Sequence, residues 1–347
     1  MSSYLDMNNL LIIGNGFDLA HNLKTRYTDF INYIIESNIN DELQYKDLIK
    51  ISRSISSLDF FKKAVNGKYH NPFACYNKFF KLLISDNFLD NWCDIEKRYY
   101  DVLMNFDICG YDNINQFHED FEVLKNHLSL YLEKQQVNPT KIESYSYLFK
   151  KLINDEKSTI LNFNYTNTLS NYSDESSVIK NKKFINIHGQ VNNNSNPIIF
   201  GFAADDEESR TLINYGNREY MRYIKKQCYK KTNCEDNLRS YLNDTSNINV
   251  FIIGHSCGIS DKLILNQIFN HENIKSIYVL FYENYEKFFE TQVNIDRIMN
   301  NDNNFRKLKS FESSTRMPQK DDDNKEHEEF VKFVDKLIKE NTKTIII

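Results

Sequence analysis

The run Leu10-Leu11-Ile12-Ile13, closing on Gly14-Asn15-Gly16-Phe17-Asp18, is the feature that most restricts what this chain can fold into. Four apolar residues stopping at a glycine read as a buried strand that feeds a tight turn and then a helix. Two glycines in such a turn let backbone N–H groups approach a pyrophosphate, and the following helix adds favourable partial charge at its first turn. Gly14, Asn15, Gly16 and Asp18 are therefore the first candidate ligand contacts. As a dinucleotide fingerprint the turn is incomplete. The third glycine position holds Leu19, and the acid expected about twenty residues on would be Glu36, inside a helical pattern. These departures argue against a hydride-transferring dehydrogenase.

Beyond Asp41 the pattern stays helical to about Ile153, with apolar and aromatic pairs around Phe60-Phe61, Phe79-Phe80, Tyr99-Tyr100 and Phe117 to Leu124, and with no strand alternation. From Thr159 the character changes. Short apolar runs recur at Thr159 to Phe163, Phe184 to Ile187, Ile198 to Phe200, Asn249 to Ile253 and Ile277 to Phe281. Helical stretches separate several of them, roughly Ser209 to Tyr241, Asp261 to His271 and Asn284 to Met299. Strands alternating with helices predict βαβ units. The expected fold is α/β and Rossmann-like, a mostly parallel sheet with helices on both faces and a large helical insertion after the first strand. The corresponding division is a nucleotide-binding domain of 1–40 and 154–315, a helical insertion of 41–153, and a charged C-terminal helix within 316–347. Ligands of such sheets lie at the carboxyl ends of the strands.

Four segments at those ends carry chemistry. Asn162-Phe163-Asn164-Tyr165-Thr166-Asn167 offers amides and hydroxyls to a ribose or a carboxamide, each amide supplying donors and an acceptor. The bland alternative is a helix cap by Thr166 or Asn167. Ile187-His188-Gly189 ends a strand in a histidine, which is either structural or suited to proton transfer near neutral pH. Gly254-His255-Ser256-Cys257-Gly258 matches the nucleophile elbow G-x-S-x-G, which would make Ser256 a nucleophile. The acid and histidine that should follow the serine are poorly supplied, since His271 falls in a helix and His327 in a charged tail. The other reading is a ribose or phosphate contact by Ser256, with Asp261 capping the next helix. Trp92-Cys93-Asp94-Ile95-Glu96 in the insertion is either a core anchor with solvated acids or a route for Glu96 into the crevice.

Composition removes several classes. A formal net charge of −5 in 347 residues argues against a dedicated duplex nucleic-acid binder, which would carry a basic face. Lys225-Lys226 with Lys230-Lys231 reads as a solvated helix face. The 6 cysteines form no C-x-x-C pair and no cluster with zinc spacing, so no metal is expected and the thiols fit a reducing cytosol. No signal-type stretch opens the chain, and the apolar runs are too short to span a bilayer. The expectation is a cytoplasmic protein without a membrane partner.

Together these segments resemble the AbiH family of bacterial abortive-infection proteins, which act against bacteriophage. The resemblance rests on Ile12 to His21, continuing through Thr25, Tyr27 and Phe30, on Trp92 to Glu96, on Asn162 to Leu169, on His188-Gly189, and on Gly254-His255-Ser256 with Asp261. A more distant similarity is to the sirtuin-like NAD-binding fold, which has a G-x-G turn, an Asn-containing turn, a His-Gly pair and a G-x-S strand end in the same order. That likeness implies Asn164 and His188 as a catalytic pair, Asn164 positioning the nicotinamide ribose and His188 acting as base or ribose contact. It also implies Gly14, Asn15, Gly16, Asp18, Tyr165, Ser256 and Asp261 around the nucleotide, with Ser256 on the adenosine side. NAD is then the expected substrate or ligand rather than a permanently bound cofactor. Two departures bear on the activity: Thr166 stands where the sirtuin-like pattern has an acid, and no four-cysteine zinc module is visible. The missing zinc module argues against deacetylation and leaves hydrolysis of the nicotinamide–ribose bond, nucleotide sensing without turnover, which Thr166 in place of the acid favours, or a Ser256 hydrolase. The helical insertion offers a surface for homo-oligomer assembly.

Overall fold

The computed structural model describes residues 8–40, 45–66, 73–85, 92–136, 139–153, 157–181, 183–204, 206–299 and 301–343. It divides into two compact units, each built from separate stretches of chain. One comprises residues 1–23, 136–199 and 229–347, the other residues 24–135 and 200–228.

The first unit holds a six-stranded sheet of β1 (Asn8–Ile13), β4 (Thr159–Asn162), β5 (Ile185–Asn186), β6 (Ile248–Ile253), β7 (Ile274–Phe281) and β8 (Thr315–Arg316). Their spatial order is β5-β4-β1-β6-β7-β8, and every pairing is parallel. The expected α/β, Rossmann-like parallel sheet is what the chain forms. Every residue of β1 and β6 is buried, so both faces of the sheet are covered, and this is why these strands read as unbroken apolar runs. On one face Leu11, Ile13, Phe251 and Ile253 pack with the helices Glu143–Leu152 and Asn324–Lys343 through Leu148, Phe149, Phe330 and Val334. The C-terminal helix is thus part of this core. The chain runs outward from β1 to β4 and β5, then returns to the other side of β1 for β6. The order therefore reverses between β1 and β6, the place where open parallel sheets hold ligands.

The second unit is mainly helical, with Tyr27–Ile39, Trp92–Met104 and Ile114–Gln135 as its longest helices. It also contains a two-stranded antiparallel sheet, β2 (Ile49–Ile51) with β3 (Phe73–Cys75), in a region where no strand was expected. Three residues per strand are too few for alternation to register. Residues 200–228 belong to this unit, although their sequence groups them with the sheet, and the helix Glu143–Leu152 belongs to the sheet unit, although it falls inside 41–153. Two further expectations are corrected. Ile198 to Phe200 is not a strand. Ile199 donates its N–H to His188 O at 2.7 Å, a single bond that ties the loop beside the sheet. The stretch Ser209 to Tyr241 is not one helix but a broken series, with Asp206–Asn214 and Cys234–Asp244 at its ends and the short helical pieces Arg218–Met221, Lys225–Cys228 and Tyr229–Lys231 between them.

Inside the helical unit, Lys225 and Glu96 form a buried ion pair, with Nζ at 2.9 and 3.0 Å from the two carboxylate oxygens. Glu96 is therefore spent on Lys225, and Lys225 is not part of a solvated basic face. The Trp92 side chain lies outside the described residues.

Candidate functional site at the carboxyl edge of the sheet

The Gly14-Asn15-Gly16 turn sits at the reversal point between β1 and β6, and its glycines are explained first by packing. A Cβ on Gly14 would lie 2.6 Å from His255 Cα, one on Gly16 2.6 Å from Gly254 Cα, and one on Gly254 2.4 Å from Phe17 N. Gly254 also adopts φ +62°, in the left-handed region. Three glycines thus let the turns after β1 and β6 press backbone against backbone. The N–H groups expected to face a pyrophosphate are committed within the protein: Gly14 donates to Ile253 O at 3.0 Å and Gly16 to Gly254 O at 2.7 Å. The helix that follows, Asn15–Ala20, has only 6 residues.

Asn164 is brought to this turn from the end of β4. Its Nδ2 donates to Gly14 O at 3.0 Å, and its backbone N–H donates to Asn162 Oδ1 at 3.1 Å. The amide is thereby fixed at the reversal point, and its carboxamide oxygen takes no part in that bond. Tyr165 is held by the loop that follows β5, its hydroxyl donating to Ile199 O at 3.0 Å. Thr166 is not a helix cap. Its hydroxyl donates to Asp18 Oδ2 at 2.6 Å. Asp18 is buried, and among the described residues its carboxyl is approached by Thr166, Thr168 and Asn164 but by no cation. Burial pushes the Asp18 carboxyl up to about 6, with the Thr166 hydroxyl opposing.

His21, which closes the same segment, is a structural group. Its Nδ1 lies 2.7 Å from Phe17 O and its Nε2 2.6 Å from Tyr172 Oη, while Tyr172 accepts the Ile142 N–H. The carbonyl can only accept, so Nδ1 carries the proton and Tyr172 donates to Nε2. Burial lowers the His21 pKa to about 4.

His188 follows β5 and meets residues from the far side of β1. Its Nε2 lies 3.1 Å from Asp261 Oδ1 and 2.9 Å from Tyr229 Oη. The other oxygen of the same carboxylate, Oδ2, is 3.3 Å from His255 Nε2. Phe163, at the end of β4, sets its ring edge-on to both imidazoles, 5.0 Å from His188 and 4.3 Å from His255. Asp261 occupies the position before the helix Lys262–Phe269 but makes no side-chain cap there. Its carboxylate serves the two histidines, which corrects its expected role as a cap. Gly189 follows His188 because a Cβ there would lie 2.1 Å from Pro197 O.

Ser256 stands apart from this cluster. It is exposed, and the described hydrogen bonds show none to its hydroxyl; its carbonyl accepts from Asn294 at 2.9 Å. The left-handed residues are Gly254 and Cys257, not the serine. A nucleophile elbow puts the strain on the nucleophile and a base beside it. Here His255 is turned to Asp261, so the serine-hydrolase arrangement is not formed. Cys257 is buried and its thiol is pushed above its ordinary range by that burial, which leaves it inert.

The two histidines address the two oxygens of one carboxylate rather than a common centre, and among the described residues no group of three His, Cys, Asp or Glu could hold a metal. A groove of about 430 Å³ lies at the opposite, amino ends of β4 and β5, lined by Ser158, Thr159, Lys183, Phe184 and Tyr241 among others. It is lined by no histidine and no carboxylate, so the carboxyl edge is the stronger candidate. His255 and Tyr229 were not singled out from sequence. The signal for His255 was present, as a second histidine placed directly after a strand.

Fold and site together define a class: an α/β protein that gathers a histidine pair, a shared carboxylate and a fixed asparagine over the carboxyl edge of a parallel sheet. The chain matches the family described as bacteriophage abortive infection AbiH over residues 10–283, and it belongs to that family. This membership places it among the proteins of bacteriophage abortive infection. No curated protein matches it. No helix among the described residues is long and apolar enough to cross a membrane.

Proposed function

We propose that the chain serves abortive infection by holding an NAD-like nucleotide over the carboxyl edge of its sheet and hydrolysing the nicotinamide–ribose bond. One observation carries this reading: His188, at the end of β5, is braced by the half-buried Asp261 carboxylate while Asn164, at the end of the neighbouring β4, is fixed beside the reversal point. In the reaction water attacks the ribose C1′, the bond from C1′ to the pyridinium nitrogen breaks, and nicotinamide leaves as a neutral base. His188 takes the proton lost by the water, and Asn164 orients the ribose through its carboxamide oxygen. Asp18 and Ser256 lie on the same edge and are the contacts proposed for the sugar and the adenosine side.

Incubating the purified chain with NAD and with ATP, and identifying products by mass spectrometry, tests the reading. Nicotinamide with ADP-ribose is the expected pair, and NAD left intact would overturn cleavage. A second reading, sensing without turnover, is favoured by Thr166, which stands where the sirtuin-like pattern has an acid and gives its hydroxyl to Asp18. Stoichiometric retention of unchanged nucleotide would support it.

A further inference from the structure

We infer that Asp261 and His255 are positioning residues that keep a proton on Nε2 of His188 and so set the tautomer in which this ring meets any reaction at this edge. The assignment starts from the backbone. Cys257 donates its N–H to His255 Nδ1 at 3.0 Å, so that nitrogen is an acceptor and the ring proton sits on Nε2. The protonated Nε2 of His255 therefore faces Asp261 Oδ2 at 3.3 Å. The Nε2 of His188 lies 3.1 Å from Asp261 Oδ1 and 2.9 Å from the Tyr229 hydroxyl. A carboxylate oxygen can only accept, so a proton on Nε2 satisfies both contacts with the tyrosine oxygen as a second acceptor, whereas a bare Nε2 would set its lone pair against the carboxylate. One carboxylate thus faces two imidazole N–H groups, and each histidine is left with a defined tautomer.

The surrounding chain is shaped to hold this arrangement. Cys257 takes φ +53°, a left-handed conformation that a side chain disfavours, and in doing so presents its N–H to the His255 ring. The Phe163 ring stands edge-on to both imidazoles. Around His188 the titratable groups are Asp261, His255, the Tyr229 hydroxyl at 2.9 Å and Tyr165, whose ring stacks at 6.1 Å. Asp261 is the carboxylate among them, and side-chain exposures of 7% for His188 and 13% for Asp261 keep that interaction from being screened. A carboxylate on one ring nitrogen fixes the tautomer and raises the basicity of the other. His255 contributes at one remove, by fixing the Asp261 carboxylate.

The catalytic meaning of this arrangement rests on the proposed nucleotide cleavage, but the arrangement can be read without any substrate. The full chain, labelled with ¹⁵N-histidine, is titrated by long-range ¹H–¹⁵N NMR, with each ring assigned by its loss in His188→Gln or His255→Gln. The expected spectrum shows both rings as Nε2–H tautomers at high pH. Asp261→Asn should lower the proton affinity of His188 about tenfold or more, a full pH unit at its midpoint. His255→Gln retains an N–H donor for Oδ2 and should leave that midpoint within about twofold, whereas His255→Ala should move it. The His255 pair supplies the answer even if Asp261→Asn does not fold. An unmoved His188 midpoint in Asp261→Asn, equal midpoints in the two His255 variants, or an Nδ1–H tautomer at either ring would overturn the inference. If NAD stays intact while the titrations behave as expected, the substrate reading fails and the positioning stands. If NAD is cleaved while the midpoints do not move, the positioning fails alone.

Discussion

Two buried carboxylates, one in each unit, are treated in opposite ways. Glu96 in the helical unit is 4% exposed and has both oxygens on Lys225; Asp18 in the sheet unit is 1% exposed and is met by the side chains of Thr166, Thr168 and Asn164 but, among the described residues, by no cation. A buried charge with a full counter-charge is a structural joint. A buried carboxyl without one makes the fold less stable at neutral pH, and such local costs concentrate where a protein does its work. The contrast marks the edge beside Gly14 as the part of the molecule where stability is given up.

The largest effect should come from breaking the joint. Glu96→Gln removes the carboxylate charge that faces the buried Lys225 and is expected to cost about 3–5 kcal/mol in chemical denaturation, while replacing both partners together, Glu96→Leu with Lys225→Met, should recover most of it. Equal losses in the single and double variants would show that the pair is not what matters.

Asp18→Asn should do the reverse and stabilise the chain at pH 7.5. The Asp18 carboxyl rises from 3.8 to about 6 in the fold, so stability grows as pH falls through that interval and the proton is taken up. Removing the charge is worth up to about 3 kcal/mol above pH 6 and nothing below pH 3.8. His21 works in the other direction: its pKa falls from 6.5 to about 4, so the stability it contributes is present above pH 6.5 and is lost as pH falls toward 4. The two slopes oppose each other in the wild type. In Asp18→Asn the His21 slope is uncovered, and thermal melts between pH 7 and 4 should show an acid sensitivity steeper than that of the wild type.

Gly16→Ala should destabilise by about 1–3 kcal/mol, because the methyl has backbone rather than side chain to displace. Ser256→Ala, exposed and outside the histidine cluster, should change stability by less than about 0.5 kcal/mol. Neither it nor the wild type should be labelled by a fluorophosphonate probe. Specific labelling at Ser256 would restore the hydrolase reading.

Much of this fold was legible as apolar runs, since buried parallel strands need them on both faces. β1, β4, β5, β6 and β7 all fall where such runs occur, and the order of motifs pointed to the family. The misread run, Ile198 to Phe200, is buried like a strand, yet one bond to His188 O replaces a ladder. Of the site, His188, Asn164, Asp18 and Asp261 could be named in advance, but not their connections. Asp261 joins residues that follow β5 and β6, strands separated in the sheet by β4 and β1. Spacing along a chain does not reveal a contact that crosses two intervening strands. The Glu96–Lys225 pair was hidden for a similar reason, because Lys225 sits in a run of lysines that looks solvated until residues 200–228 are seen to belong to the helical unit.

The rate of nicotinamide release from NAD by the wild type and by His188→Ala, measured on folded protein of each kind, tests the central claim most directly. Release by the wild type with a loss of about 10²-fold or more in the variant is the predicted result. No release by the wild type, or equal rates from the two proteins, would contradict it.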